Sequence, residues 1–200
     1  MTTLTWPTLS VAAPESFTFT LASNTMHFQS PLSGAMQTVE FPGARWKASF
    51  TLDSLAESDA ALLRAFGAKL RGRAGRFYLH HMANPNLRGT VTGSPSVNGG
   101  GQTGNTLALA SCGAGKTILA GDFIGVNGEL KMVVANATAD GGGYMTVTIE
   151  PPLRSSPTNG STVTTVKPTA TFMLSEDSWR DLVKAPYIAT FVVDAVEVWA

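Results

Sequence analysis

Cysteine is nearly absent from this chain of 200 residues, with Cys112 as the single example. One thiol cannot form an intrachain disulfide, so we expect a fold that needs no cross-link and suits a reducing cytosol. Long apolar runs are also missing, and the first residues lack the basic segment and apolar core of a signal peptide. We therefore expect a protein that is made in the cytoplasm and does not enter a membrane.

Charge is scarce as well, because 14 basic and 14 acidic residues give a formal net charge of +0. This balance argues against binding to nucleic acid or to a membrane surface through the field of the whole protein. A surface with few charges also resists association poorly. The hydrophobic content of 44% is enough for a core, and 20 glycines and 11 prolines predict many tight turns in a mainly β protein.

Alternation of apolar and polar residues predicts the strands of a first β domain. Phe17, Phe19 and Leu21, for example, alternate with threonines. The strands predicted in this way are 16–21, 36–41, 46–52, 76–80, 172–174 and 187–199. Residues 178–184 fit either a short helix or a bulged strand.

One helix is predicted, over residues 54–71. Ser54 and Glu57 match a capping box, in which two backbone donors are satisfied reciprocally. Gly72 can supply the left-handed cap at the other end. The apolar stripe at helical spacing consists of Leu55, Leu62, Leu63, Phe66 and Leu70.

The composition changes between Gly89 and Val166, where small and β-branched residues dominate. Dipeptides that favour tight hairpins occur at 98–99, 127–128, 140–141 and 159–160. The strands predicted between these turns are 106–110, 122–126, 130–134 and 145–150. We interpret 89–166 as a small β-barrel or sandwich domain, inserted into a tube-like β domain formed by 1–88 and 167–200.

The sequence pattern for a nucleotide-binding site is weak. Residues 110–117, with Lys116, resemble a phosphate-binding loop, which requires a helix directly after it. Gly121 and Asp122 would break such a helix at once. A polar hairpin turn is therefore the favoured interpretation.

Other candidates for chemistry are equally weak. His80 and His81 are neighbours on a predicted strand and point to opposite faces, so they cannot easily share a metal ion. Cys112 has no nearby pattern that would activate a nucleophile. We therefore predict no catalytic, metal or cofactor site, and no enzymatic activity.

Lys69, Arg71, Arg73 and Arg76 form the one local basic cluster, and Arg45 is a further candidate of the same kind. Three interpretations stay open for the cluster. It is a solvated helix end, a set of ion-pair donors to a neighbouring subunit, or the lining of a passage for nucleic acid that reads no sequence.

Several segments resemble the small distal tail and minor tail proteins of long-tailed bacteriophages, which join the tail tube to the tip. The segments that carry the resemblance are Ser-Pro-Leu-Ser-Gly at 30–34, Gln-Thr at 37–38, Pro-Gly-Ala-Arg-Trp at 42–46 and Leu-Arg-Gly-Arg-Ala-Gly-Arg-Phe at 70–77. Weaker similarity covers 102–107, 120–122 and 151–154, so that the resemblance runs through most of the chain.

This resemblance implies a tail-tube-like fold, which is an antiparallel β-sandwich or barrel of two sheets with one flanking helix. It also implies assembly as a ring, which is commonly a hexamer in such proteins. The implied partners are other copies of the chain, the tail tube protein, tail tip or hub proteins, the tape-measure protein and DNA that passes through the channel. The implied location is the virion tail. The basic cluster and the loops around 30–45 are the expected subunit or channel contacts.

Two other function classes remain as alternatives. In larger relatives, the position of the insert can carry receptor-binding modules, so a glycan-binding role in host attachment is the second hypothesis. An enzyme, either a nucleotide hydrolase acting through Lys116 or a cell-wall hydrolase, is the third.

Overall fold

The protein is described here as a computed structural model that covers residues 3–10, 13–185 and 188–199. Strands make up 48% of the chain and helices 9%. The mainly β class and the single α-helix predicted from the sequence are confirmed within these residues.

The strands are numbered in chain order, and the α-helix α1 spans Glu57–Leu70. A 3₁₀ turn, Gly72–Ala74, follows the helix. Strands β1 to β16 are, in order, Thr3–Thr5, Ser16–Ala22, Thr25–Gln29, Met36–Glu40, Arg45–Leu55, Arg76–His80, Ser96–Val97, Gly104–Ala110, Thr117–Ile118, Phe123–Val126, Glu129–Val133, Ala137–Thr138, Met145–Leu153, Thr169–Leu174, Arg180–Lys184 and Ile188–Glu197.

The largest sheet has seven strands in the order β1-β6-β14-β16-β5-β2, with β15 paired to β16. Its pairs are antiparallel except for β1, which lies parallel to β6, so the expectation of purely antiparallel sheets is wrong at this edge. On β5, Trp46, Ala48 and Phe50 alternate with exposed residues and face the core. Side chains of α1 and of β10 and β11 complete this first core.

Residues between β6 and β14 form a second β region with its own buried cluster. It contains a five-stranded sheet, β10-β11-β13-β8-β7, and the pair β9-β12. β6 and β14 are nevertheless neighbours in the large sheet, so the second region leaves the first and returns to it at adjacent strands. The boundaries 89 and 166 stay a prediction.

Polar contacts join the two regions where their cores meet. The indole N–H of Trp46 donates to the carbonyl of Leu130 at 2.9 Å. The guanidinium of Arg154 holds the carboxylate of Glu197 through two hydrogen bonds of 2.6 and 2.8 Å. Because Glu197 and the Trp46 side chain are almost fully buried, these bonds are shielded from water and tie the second region to the large sheet.

The start of the helix differs from the prediction. Ser54 and Leu55 belong to β5, where Leu55 pairs with Ala189 and is 2% exposed, and Ala56 precedes the helix without a side-chain cap. A capping box stabilises a helix by about 1 kcal/mol, whereas burying a leucine side chain contributes roughly 1.5–3 kcal/mol. Placing Ser54 and Leu55 in the sheet is therefore favoured over starting the helix at Ser54. The predicted capping box is therefore wrong.

The end of the helix also differs in detail. Arg71, not Gly72, is the first residue in the left-handed region, at φ 53°, and Gly72 follows at φ 64°. Leu62, which the apolar stripe assigned to the core, is 50% exposed. Residues 178–184, which the sequence left open, include strand β15.

Candidate functional site

A two-stranded hairpin made of β3 and β4 stands apart from both cores. We call residues 23–42 the arm. Its strands pair with each other and with no other strand in the described part of the chain. All of its residues are exposed except Ser30, which is half-buried. A two-stranded ribbon without a covered face is marginally stable in water. We therefore expect the arm to be stabilised by a partner that covers one of its faces.

One face of the arm is apolar. Cross-strand pairing places Met26 opposite Val39, and the next pair on the same face contains Phe28. These three side chains are each about half exposed. The opposite face is mostly polar, with His27 and Thr38 among its residues and Met36 as its one large apolar side chain. The ribbon is therefore amphipathic, but nothing within the described chain covers its apolar face.

The tip and the base of the arm have defined structure. At the tip, Gly34 donates its N–H to the carbonyl of Ser30 at 2.9 Å, and Leu32 is 98% exposed. At the base, Asn24 donates its side-chain amide to the carbonyl of Pro42 at 2.9 Å. The arm is therefore a formed hairpin with an exposed apolar tip.

Sequence reasoning predicted β4 and expected contacts around 30–45, but it missed β3. The signal that could have found β3 is the alternation of Met26 and Phe28 with polar residues, which is the pattern of a half-buried strand.

A second exposed apolar surface lies on β15 and on residues 188–192 of β16, which we call the C-terminal ribbon. Leu182, Ile188 and Val192 share the outer face of this antiparallel pair around Thr190. Each of the three is 40% or more exposed. Six of the sixteen exposed large hydrophobic side chains in the described residues belong to the arm, and four to the C-terminal ribbon. Exposed apolar groups are therefore concentrated in two places.

Unlike the arm, the C-terminal ribbon is held firmly to the rest of the protein. The guanidinium of Arg64 on α1 binds Asp181 at 2.8 Å and Glu57 at 2.7 Å. The hydroxyl of Thr190 donates to Asp53, and this bond lowers the pKa of that carboxyl. The ribbon therefore offers a fixed surface.

The basic cluster adjoins the segment that leads into β15. Arg73 donates through Nε to the carbonyl of Ser175 at 2.8 Å, and its backbone N–H binds Asp177 at 3.0 Å. Arg76 donates to the carbonyls of Arg73 and Gly75, at 2.7 and 2.9 Å. These two guanidinium groups therefore hold the turn after α1 in place.

Lys69 and Arg71 differ from their neighbours in the cluster. Both are exposed, and neither takes part in an ion pair within the described residues. They are the members of the cluster that remain available for an external partner.

Arg45 lies elsewhere, at the base of the arm. Its guanidinium is over the Trp199 ring, 4.7 Å from the ring centroid, and that of Arg154 is 3.9 Å from the same centroid. The ring borders a groove of about 710 Å³ that Phe41 and Glu150 also line. Because two guanidinium groups already occupy the indole, less of its face is free to stack a sugar.

The remaining candidates from the sequence lie in a turn or in packed, partly buried surroundings. Residues 110–117 form a turn between β8 and β9 with no helix after it. His81 packs on Phe123 at 4.7 Å between ring centroids, and burial lowers its pKa. Burial also raises the pKa of the Cys112 thiol, which disfavours the reactive thiolate.

The described residues contain neither a metal-ligand cluster nor a membrane-spanning helix. No group of three or more potential metal ligands is present there. No helix in this part is long and apolar enough to span a membrane.

Comparison with known proteins gave no assignment: no family model matches the chain, and no similar curated protein was found.

Proposed function

We propose that this protein is a structural subunit that assembles with copies of itself into a ring at the junction of a bacteriophage tail tube and tail tip. In this role it catalyses no reaction. It continues the channel through which DNA passes and presents surfaces to the tail tube protein, the tip proteins and the tape-measure protein.

The observation that carries the proposal is the uncovered arm. Its apolar face exposes Met26, Phe28 and Val39, and a monomer has nothing to gain from holding these side chains in water. The C-terminal ribbon is a second exposed apolar surface of the same chain, so one copy carries two surfaces that contact between copies would cover. We infer that the occupant of this surface is a second copy of the chain.

The phage-tail part of the proposal rests on the resemblance of segments 30–34, 42–46 and 70–77. The first of these is the tip of the arm, and the second begins at its base. The resemblance and the exposed apolar surface therefore fall on the same part of the molecule. A mainly β body with one flanking helix is compatible with the tail-tube-like fold that we propose.

The test is the mass and shape of the purified protein. Light scattering and electron microscopy of the wild-type chain are expected to show a closed ring. A triple variant of the apolar face, Met26→Ser, Phe28→Ser and Val39→Ser, is expected to remain folded and monomeric. The matched control changes the polar face of the same strands: His27→Ser, Gln29→Ser and Thr38→Ser.

The control should assemble as the wild type does. A wild-type chain that stays monomeric at high concentration and is absent from phage particles would sink the proposal. Loss of assembly in the polar-face control as well as in the apolar variant would remove the arm's apolar face as its basis.

Charge reversal tests the role of the basic cluster. Lys69→Glu with Arg71→Glu is expected to lower ring stability if these groups contact a neighbouring subunit. If they line the channel, rings should form and DNA delivery by the particle should fall. If both properties are unchanged, the two residues are a solvated helix end.

A further inference from the structure

We infer that the apolar face of the arm docks on the outer face of the C-terminal ribbon of a second copy. This inference rests on the proposed self-assembly and adds the identity of the receiving surface. It makes the contact heterologous, in that one copy offers the arm and the next copy offers the ribbon.

The two surfaces lie toward opposite ends of strand β5. β5 begins at Arg45, beside the base of the arm, and ends at Leu55, which pairs with Ala189 next to the C-terminal ribbon. At about 3.3 Å per residue, these ends are about 33 Å apart. The near end of the ribbon, Val192, pairs with Thr51 about 20 Å from Arg45. Both surfaces are exposed within the same chain, so the arm does not cover the ribbon of its own chain.

Geometry of this kind favours a contact between chains. An arm that leaves one end of a subunit, and a receiving surface at the other end, join copies head to tail. Such contacts produce a ring when the rotation between copies closes. A symmetric pair, in which two arms pack on each other, would leave the C-terminal ribbon exposed in both copies.

The two surfaces also suit each other chemically. Each presents a small set of apolar side chains: Met26, Phe28 and Val39 on the arm, and Leu182, Ile188 and Val192 on the ribbon. Apart from His27, Glu40 is the one acidic or basic residue of the arm. The outer face of the ribbon carries two cations beside its apolar side chains, Arg180, which is paired with Glu176, and Lys184.

The charges of the outer face also suit the arm. By the register of the pair, Arg180 and Lys184 share the outer face with Leu182, whereas Asp181 lies on the other face and is bound by Arg64. Glu40 of the arm therefore meets basic side chains at this face. The ribbon is also held by Arg64 and Asp53, which means that ordering it costs little when the arm binds.

Disulfide cross-linking tests the pairing. One chain carries Phe28→Cys, and a second, distinguishable by a mass tag, carries Leu182→Cys. Cys112 is 1% exposed and can stay in place, and the chain without an added cysteine measures its background. The mixture is expected to give a disulfide-linked dimer that contains one chain of each type.

Two matched controls use other exposed positions. His27→Cys lies on the polar face of the same strand as Phe28. Val166→Cys is 65% exposed and lies outside both surfaces. The pairs His27→Cys with Leu182→Cys, and Phe28→Cys with Val166→Cys, are expected to cross-link only at the background level.

The outcomes separate this inference from the proposed function. Rings that form without a mixed cross-link would overturn the pairing and leave self-assembly intact. Dimers of the Phe28→Cys chain with itself would also overturn it, in favour of arm-to-arm packing. A monomeric protein would overturn both.

A second measurement uses charge compensation. Phe28→Asp alone and Leu182→Lys alone are each expected to weaken association by roughly 30-fold, as for loss of an interface hot spot. The two changes combined in one chain bring opposite charges together across each contact, and recovery of most of that loss is expected. No recovery, with each single variant weakened, would contradict direct contact between the two positions.

Discussion

Two hairpins of similar length have opposite environments in this protein. The arm, with strands of five residues, is exposed on both faces. The hairpin of β10 and β11, with strands of four and five residues, is buried on both. Phe123 and Leu130 face the first core, while Ile124, Val126 and Val133 face the second. What distinguishes the two hairpins is what lies over them, so the exposed one marks a missing partner.

The largest effect is expected from breaking the covered hairpin at its buried ion pair. Lys131 is fully buried and lies 2.6 Å from Glu129, and its ammonium also donates to the carbonyl of Pro152 at 2.7 Å. Glu129→Ala leaves that ammonium without its counter-charge and should lower the free energy of unfolding by about 3–5 kcal/mol. Urea unfolding measures the loss.

The control for this change is Glu176→Ala, which removes an exposed pair with Arg180. It should cost less than about 1 kcal/mol. A loss for Glu129→Ala no larger than that of the control would mean that the covered hairpin does not depend on its ion pair.

The next effect compares one large apolar side chain in each hairpin. Leu130→Ala removes a fully buried side chain and should cost about 2–5 kcal/mol. Phe28→Ala should change the unfolding free energy of dilute, unassembled protein by less than about 0.5 kcal/mol. A large loss for Phe28→Ala in the monomer would show that the arm is already covered within its own chain.

A smaller effect is expected from the same backbone change in both turns. Gly128 joins β10 to β11 at φ 76° and Gly34 lies in the arm tip at φ 68°, and a Cβ at either position would meet open space. Alanine should therefore add about 1 kcal/mol of backbone strain at both. Global unfolding should report the loss for Gly128→Ala only, because the arm opens on its own.

Hydrogen exchange measures the effect of Gly34→Ala on the arm, which global unfolding does not report. Amides of β3 and β4 should exchange faster in Gly34→Ala, while those of β5 should be unchanged. Faster exchange throughout the large sheet would contradict an arm that unfolds independently.

The smallest effect that we expect is a dependence on pH at the covered hairpin. Burial lowers the pKa of His81, which packs on Phe123 and accepts a hydrogen bond on Nδ1 from the N–H of Asn84 at 2.9 Å. The unfolded chain therefore binds the proton more tightly than the folded chain. The contribution of His81 to the free energy of unfolding should be fully present above the pKa of the unfolded chain, about 6.5, and should be lost as the pH falls below it.

Unfolding free energies of the wild type and of His81→Asn, measured from pH 7.5 to 5.5, check this dependence. The slope should decrease in the variant. His80→Asn is the control: it removes the contribution of His80, whose pKa burial also lowers, and should keep the part due to His81. Equal slopes in the wild type and His81→Asn would contradict the assignment.

Elements with one covered face were predictable from the sequence, and those decided by tertiary contacts were not. The alternation in β2 and β5 reflects burial on one side, so the strands could be found. Ser54 and Leu55 have the local pattern of a helix start, but Leu55 instead pairs in the sheet with Ala189, which is far along the chain. Local pattern cannot reveal such a partner.

The candidate site was predictable to the same limited extent. The basic cluster is visible in the sequence, but the acceptors of Arg73, at Ser175 and Asp177, are about a hundred residues away. Sequence alone therefore cannot separate Arg73 and Arg76, which hold a turn, from Lys69 and Arg71, which stay exposed. The arm was half predicted, because the pattern of β3 is short, with Met26 and Phe28 as its only two apolar residues.

The buried contact between Arg154 and Glu197 fixes the orientation of the second β region relative to the large sheet. In a symmetric assembly of several copies, these regions would then repeat at a fixed angle and spacing. A ligand array with the same spacing would meet them together, so that weak individual binding would be multiplied by effective concentration. The ion pair would thus determine the spacing of the binding surfaces, and with it the gain from multivalent binding, although it contacts no ligand itself.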